Sequence, residues 1–260
     1  MFYPDDKKEI LNYLRSYGLN EGQKGYAQAI IAPHGAWSYS GALAADAFSS
    51  AVGRSGSIKR VILMGPIHDR GEQGLFLSNS HFFHTPLGNI PVDLKVSEEL
   101  KFNSCYFEIN DIPHLKEHSI EILLPFVKYC FPQASIVPIL MGQPKVRYIY
   151  DLAQALKKVI TPLLDETLVV VSCNLSCDAN QTTARLLAEE CLRLFSNKDA
   201  HALASAILGG RLNACGGALV VGLIESGLLD GTRTCSVADS LVSAVGTEND
   251  IVYYSELSYA

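Results

Sequence analysis

Five short stretches hold most of the residues able to do chemistry. His34 lies in "APHGAWSYSG" (32–41), His68 in "MGPIH" (64–68), and Glu117, His118 and Glu121 in "HLKEHSIEILLPF" (114–126). Cys173, Asn174 and Cys177 share "SCNLSCD" (172–178), and Cys215 opens "CGGAL" within "NACGGAL" (213–219). Imidazole suits zinc, copper, iron and nickel, and a thiolate shifts preference toward softer ions. Two histidines and a cysteine on separate loops are therefore a possible ligand set, although their spacing along the chain selects no particular ion.

Each residue also has a plainer reading. A histidine after a strand can simply hydrogen-bond its own turn. Cys215 sits where a helix dipole would favour thiolate, yet a free cysteine is also a small apolar core residue. The Glu117-His118-x-x-Glu121 group is expected to open a helix, with Glu117 and Glu121 one turn apart on a shared face. Acidic residues there are ordinary dipole partners. A histidine between two carboxylates could also support a metal site or an anion pocket.

The elements that must position these residues follow from periodicity. "DDKKEILNYLRSYG" spaces Ile10, Leu11 and Leu14 as a helix and stops at Gly18. "AQAIIAP", "KRVILMGPIH", "ASIVPILMG" and "TLVVVSCN" read as strands, and "KVRYIYDLAQALKKVI" and "QTTARLLAEECLRLF" as helices. Ser40 is a plausible N-cap for a helix over "SGALAADAFSSAVG", residues 216–229 read as a buried helix, and "TCSVADSLVSAV" and "DIVYYSEL" close the chain as a strand-like pair. This alternation argues for an α/β fold in one domain, residues 1–260, with a central, largely parallel or mixed sheet flanked by helices. In such sheets ligands bind beyond the carboxyl ends of the strands, where His34, His68 and the 173–177 loop would converge.

Composition limits the partners. The chain has 260 residues, 48% hydrophobic and 18% charged, enough to bury a full core. Its net charge is -6 and its basic residues are scattered, which argues against a nucleic-acid surface. No window reaches the roughly 18 apolar residues a membrane span needs, and the start "MFYPDDKKEI" lacks signal-peptide character. Seven cysteines in this setting suggest reduced thiols and a cytoplasmic location. Cys105, Cys130, Cys191 and Cys235 are expected to fill the core, His201 to lie on a helix surface, and His81 and His84 to find polar partners; His114 could reach the pocket.

Taken together, "FYPDD", "APHGAWSYSG", "MGPIH", "EHSIEILLPF", "IVPILMG", "VVVSCNLSCD" and "NACGGAL" resemble, in order over residues 2–219, the Memo-like family, also called AmmeMemoRadiSam system protein B. The resemblance implies a fold similar to LigB-like class III extradiol dioxygenases, which use non-heme iron. It also implies a pocket of two histidines and one cysteine, here His34, His68 and Cys215, holding iron or copper, with zinc chemically suitable. Such a site would serve a redox or non-heme metal-dependent oxidoreductase acting on an unknown small molecule or peptide.

Departures from the family qualify that expectation. Gly35-Ala36-Trp37 stands where Ala-Gly-Tyr is usual, a mild change. Asn174 and Cys177 stand where the family has an Asp and a His. Asn174 cannot titrate, so ring cleavage assisted by a general acid/base is not expected. Cys177 could instead add a second thiolate beside Cys215. The alternative function is non-catalytic: a phosphopeptide or anion site in the same pocket, walled by Tyr39, Trp37, Phe2 and Tyr3. The bacterial context of the family suggests a functional link to radical-SAM and AMMECR-type proteins. The chain lacks the Cys-x3-Cys-x2-Cys motif of a radical-SAM component.

Overall fold

Asp6 starts the first helix: its carboxylate accepts the backbone N–H groups of Lys8 and Glu9 at 2.8 and 3.0 Å. The helix, α1 (Lys7–Ser16), buries Ile10 and Leu14, and Gly18 follows it at φ 74°. The structure is a computed structural model that describes residues 2–19, 25–236, 242–245 and 251–260. After α1 come β1 (Ala29–Ala32), α2 (Trp37–Ser49), β2 (Arg60–Pro66), β3 (Leu75–Leu77), β4 (Phe82–Phe83), β5 (Ile90–Pro91), α3 (Leu94–Phe102) and β6 (Phe107–Ile109). The middle of the chain forms α4 (Ile112–Lys116), α5 (Leu124–Cys130), β7 (Ser135–Met141), α6 (Val146–Ile160), β8 (Thr167–Ser172), β9 (Ser176–Asp178) and α7 (Gln181–Ser196). The remainder supplies α8 (Ala200–Leu208), α9 (Gly217–Glu225), β10 (Thr234–Ser236), β11 (Val242–Val245), β12 (Ile251–Tyr254) and β13 (Leu257–Tyr259).

Eight strands form a mixed sheet in the order β10-β13-β1-β8-β2-β7-β3-β6. Its centre, β1-β8-β2-β7, is parallel, whereas β13 and β3 join it antiparallel. The central strands are apolar on both faces because both are covered. Ile31, Ile62, Val137 and Val169 pack with α6, α7, α8 and α9, while Ile30, Val61, Leu63 and Val170 pack against α1, α2 and α5. The expected α/β fold is present, with the mixed form of the sheet.

Three parallel neighbours end at one edge of the sheet. β1 leads to His34, β8 to Asn174 and β2 to His68, and the β1–β8 and β8–β2 registers bring those ends side by side. Close approach holds the layer beneath them. A Cβ on Gly65 would lie 2.5 Å from the Ser119 Oγ and 2.6 Å from an Ile120 methyl, so the 117–120 turn packs directly on β2.

Several local expectations need correction. The helix expected from Ser40 begins at Trp37; Ser40 is buried inside it, and no side chain caps it. The Trp37 N–H is instead satisfied by the Phe2 carbonyl at 2.9 Å. Glu117 and Glu121 do not share a helix face. α4 ends at Lys116, the next residue Glu117 is extended (φ -101°, ψ 135°), and Glu121 starts a short 3-10 turn ahead of α5. The cause is tertiary: the Glu117 carboxylate is committed to other backbone groups, described below.

The helix expected over 216–229 ends at Glu225, followed by Gly227 at φ 76°. The closing strand pair is present in part, β11 against β12, and residues 237–241 and 246–250 lie outside the described residues. Cys130 and Cys191 are buried as expected, but Cys105 and Cys235 are exposed: Cys105 lies in the turn before β6, and Cys235 on the edge strand β10. His201 is exposed on α8, and His84 Nδ1 lies 2.9 Å from the Asn89 side-chain oxygen.

Candidate metal centre

His34 leaves the end of β1 buried, with 1% of its surface exposed. Its backbone N–H donates to the Asn174 side-chain oxygen at 3.0 Å, and its Nδ1 lies 2.7 Å from the Ser172 Oγ. The Ser172 hydroxyl donates to the Ser119 carbonyl, so it accepts from a protonated His34 Nδ1. This assignment from the hydrogen-bond network leaves a lone pair on Nε2. That nitrogen lies 3.3 Å from the Cys215 Sγ.

His68 is oriented by Glu117. One carboxylate oxygen accepts its backbone N–H at 2.6 Å and the other meets its Nδ1 at 2.9 Å. The latter oxygen also accepts the backbone N–H groups of His118 and Ser119, each at 2.8 Å. A carboxylate holding Nδ1 turns Nε2 toward the pocket, the usual arrangement behind a metal-bound imidazole. Burial alone would raise Glu117, yet these bonds, led by the His68 ring, hold it down to about 2. Burial alone would lower His68, yet Cys215 and Glu117 raise it to about 10.

Cys215 enters from the loop before α9. Its sulfur accepts the Asn174 backbone N–H at 3.1 Å. A hydrogen bond from Cys173 leads the effects that hold the Cys215 thiol well below its ordinary range, against the effect of burial. Asn174 thus ties two loops together, its side chain to His34 and its backbone to Cys215. One donor atom each from His34, His68 and Cys215 lies within 4.8 Å of the other two.

The neighbourhood gives the site one aromatic wall. His118 stacks between Phe2 and His68, with ring centroids 4.6 and 4.7 Å away. Burial lowers His118 to about 4, so its ring is neutral near pH 7. The Tyr254 ring closes over the His34 loop: a Cβ on Gly35 would approach it to 2.8 Å. Burial, then Cys177 and Cys215, push its phenol up to about 12. A cavity of about 90 Å³ lined by Ile67, His68, Asp69, Lys116, Glu117 and His118 opens beside the cluster.

The other sequence candidates are dispersed. Trp37 is buried, its Nε1–H donating to the Ile122 carbonyl at 3.2 Å, and Tyr39 is 54% exposed on α2. Glu121 accepts the Tyr3 hydroxyl. Cys177 lies exposed on β9, outside the group of donors within 4.8 Å. A second donor group, His68 with Glu117 and His118, reuses a carboxylate already engaged by backbone N–H groups. Ser172, Ser119 and Tyr254 belong to the site although the sequence reading singled out none of them; Ser119 and Ser172 lie within the quoted stretches "EHSIEILLPF" and "VVVSCNLSCD".

His114 does not join the centre. It lies in α4 with its ring edge-on to Phe83, centroids 5.9 Å apart, and its ring nitrogens buried. Burial lowers it from 6.5 to about 4, against the pull of Asp111 and the Phe76 and Leu77 carbonyls. The unfolded chain therefore binds a proton at His114 that the fold refuses between those values, and stability must fall as pH drops from 6.5 to 4. The loss should be on the order of 2 kcal/mol over the window. Urea titrations at both ends should show His114→Phe with a flatter slope, the remainder belonging to His118. An unchanged slope would mean His114 is solvated in the fold.

A mixed α/β sheet whose parallel strand ends gather two imidazoles and a thiolate defines the class of protein. The whole chain supports a closer placement. The family model described as "Memo-like protein" matches residues 1–258. A MEMO1 family protein of Methanobrevibacter smithii is 30% identical over 265 residues, covering 96% of this chain and 91% of that protein. One from Thermotoga neapolitana is 28% identical, covering 87% and 86%. The protein memo-1 homolog of Caenorhabditis elegans is 33% identical over 144 residues, 54% of this chain and 41% of that one. The chain belongs to the Memo-like family.

Proposed function

We propose that this protein holds a single redox-active ion, iron or copper, between His34 Nε2, His68 Nε2 and Cys215 Sγ, and serves as a metal-dependent oxidoreductase. One observation carries the reading: both histidines are hydrogen-bonded through Nδ1, by Ser172 and by Glu117, so that the other nitrogen is presented toward a common thiol. Ligand bonds of about 2.0–2.3 Å would set tetrahedral donors roughly 3.3–3.8 Å apart, which suits the 3.3 Å between His34 and Cys215. Two imidazoles and one thiolate suit copper or iron, and leave a coordination position for a substrate.

A bound iron or copper would supply one-electron chemistry at that position. The chain's own residues prepare it. In the metal-free cluster His68 is an imidazolium between Glu117 and Cys215, so loading an ion releases the His68 Nε2 proton and uptake weakens as pH falls. Glu117 keeps Nδ1–H and the ring orientation, and Asn174 holds the His34 and Cys215 loops in register. His118 and Phe2 wall the open side. Seven cysteines outside any disulfide suit a reducing cytoplasm, and no helix among the described residues is long and apolar enough to cross a membrane. The alternative, capture of an anionic phosphopeptide, finds less support because the positive charge of His68 is already met by Glu117 and Cys215. A pathway link to radical-SAM and AMMECR-type proteins rests on family context.

The test is metal content after purification in reducing, chelator-free buffer. Near-stoichiometric iron or copper is expected in the wild type and none in His34→Ala/Cys215→Ala, with Cys177→Ala retaining its metal. No uptake after anaerobic reconstitution would overturn the reading. Uptake of zinc alone would remove the redox assignment.

A further inference from the structure

Cys173 stands at the centre with no part in holding the ion. It is fully buried at the end of β8, and its thiol donates to the Asn174 carbonyl at 3.3 Å. The same carbonyl lies 3.7 Å from the Cys215 sulfur, so the two side chains converge on one point of backbone. The chain segments are equally close: a Cβ on Gly216 would lie 2.7 Å from the Cys173 Cβ and 2.4 Å from the Ser172 carbonyl. Packing alone would put a small apolar atom here. A second sulfur against the ligand sulfur has a different chemistry available.

We propose that Cys173 and Cys215 form a reversible disulfide when the protein meets a hydroperoxide, and that this bond closes the metal site. Cys215 is the attacking sulfur, because it is half-buried and borders a cavity of about 50 Å³ lined by Pro66, Met141, Gly142, Ala218 and Leu219, whereas Cys173 has no exposed surface. Its sulfur takes the terminal oxygen of the peroxide as the O–O bond breaks. The alkoxide leaves with the thiol proton as an alcohol, or as water from hydrogen peroxide, and Cys215 becomes a sulfenic acid. Cys173 then attacks that sulfur, and the hydroxyl departs with the Cys173 proton as water. The two thiols together lose two electrons and the peroxide gains them. A dithiol reverses the bond by exchange. Disulfide geometry needs Cβ atoms about 3.5–4.5 Å apart, and both sulfurs already meet the Asn174 carbonyl, at 3.3 and 3.7 Å. The sulfur consumed is a ligand, so oxidation leaves two imidazoles and no thiolate. That consequence for the metal rests on the proposed centre, while the disulfide itself does not.

The experiment is peptide mapping of the full chain after anaerobic reduction and exposure to a graded dose of hydrogen peroxide. Wild-type protein should lose the mass of two hydrogens and yield a Cys173–Cys215 cross-linked peptide that dithiothreitol removes. Cys173→Ser, or Cys173→Ala if serine impairs folding, should instead accumulate a sulfenic acid at Cys215 that dimedone traps. Oxidised wild-type protein should take up iron or copper more weakly by on the order of tenfold or more, with recovery on reduction. Both thiols intact at doses that oxidise the exposed Cys177, or Cys215 linked to a different cysteine, would overturn the proposal. If the reduced protein takes up no metal, the proposed centre fails while the cross-link still decides this one.

Discussion

Replacing Glu117 with alanine should destabilise the fold by ~2–3 kcal/mol and weaken metal binding by roughly 10–100-fold. Glu117 is 7% exposed and accepts the His68 backbone and ring N–H groups and the backbone N–H groups of His118 and Ser119. Its loss strands those donors and leaves the His68 charge balanced by Cys215 alone. The His68 side chain is 42% exposed, so water meets part of its charge and the loss falls mainly on the stranded backbone donors. Glu117→Gln separates the two effects, since an amide oxygen can still accept while the charge is gone. Urea unfolding at pH 7 gives the first quantity, and competition with a chelator of known affinity gives the second. A stability loss below about 1 kcal/mol would show that water replaces the carboxylate and that the turn is not built on it.

Trp37→Ala should cost more, ~3–5 kcal/mol, but spare the metal. The indole is 3% exposed, with its centroid 4.6 Å from Phe126 and 5.4 Å from Tyr3. Its Nε1–H and its carbonyl are both bonded, the latter accepting the Tyr17 hydroxyl at 2.9 Å. Truncation therefore opens a cavity and strands a buried acceptor on Ile122, whereas none of these contacts reaches a donor atom of the centre. Trp37→Phe keeps most of the ring volume and should recover about half the loss. Denaturant midpoints and metal titration on the same samples check both halves. A large fall in metal affinity with little change in midpoint would make Trp37 a wall of the pocket instead.

The contrast between these two residues shows what was legible. The central strands were readable because burial on both faces leaves unbroken apolar runs, and the convergence of His34, His68 and Asn174 followed from placing those runs side by side. Their supports were not readable. Trp37 begins its helix because a carbonyl from Phe2 reaches it, and Glu117 leaves its helix because His68, far away in sequence, competes for its carboxylate. Local periodicity is blind to both, since each is decided by a tertiary hydrogen bond. The role of Cys173 was equally hidden: a cysteine beside a strand end says nothing about another sulfur until the 213–216 loop is folded over it.

The pairing of β1 with β13 has a consequence for how the protein is made. Ala29, Ile30 and Ile31 hydrogen-bond on one side to β8 and on the other to Tyr259, Ser258 and Leu257. The whole segment from β1 to Tyr259 must leave the ribosome before that second side is filled. Until then an apolar strand presents an open edge, the kind of template that recruits other nascent chains. Contacts of such sequence separation also close slowly. A holdase that covers residues 29–32 during synthesis would protect the same segment that later delivers His34 to the centre.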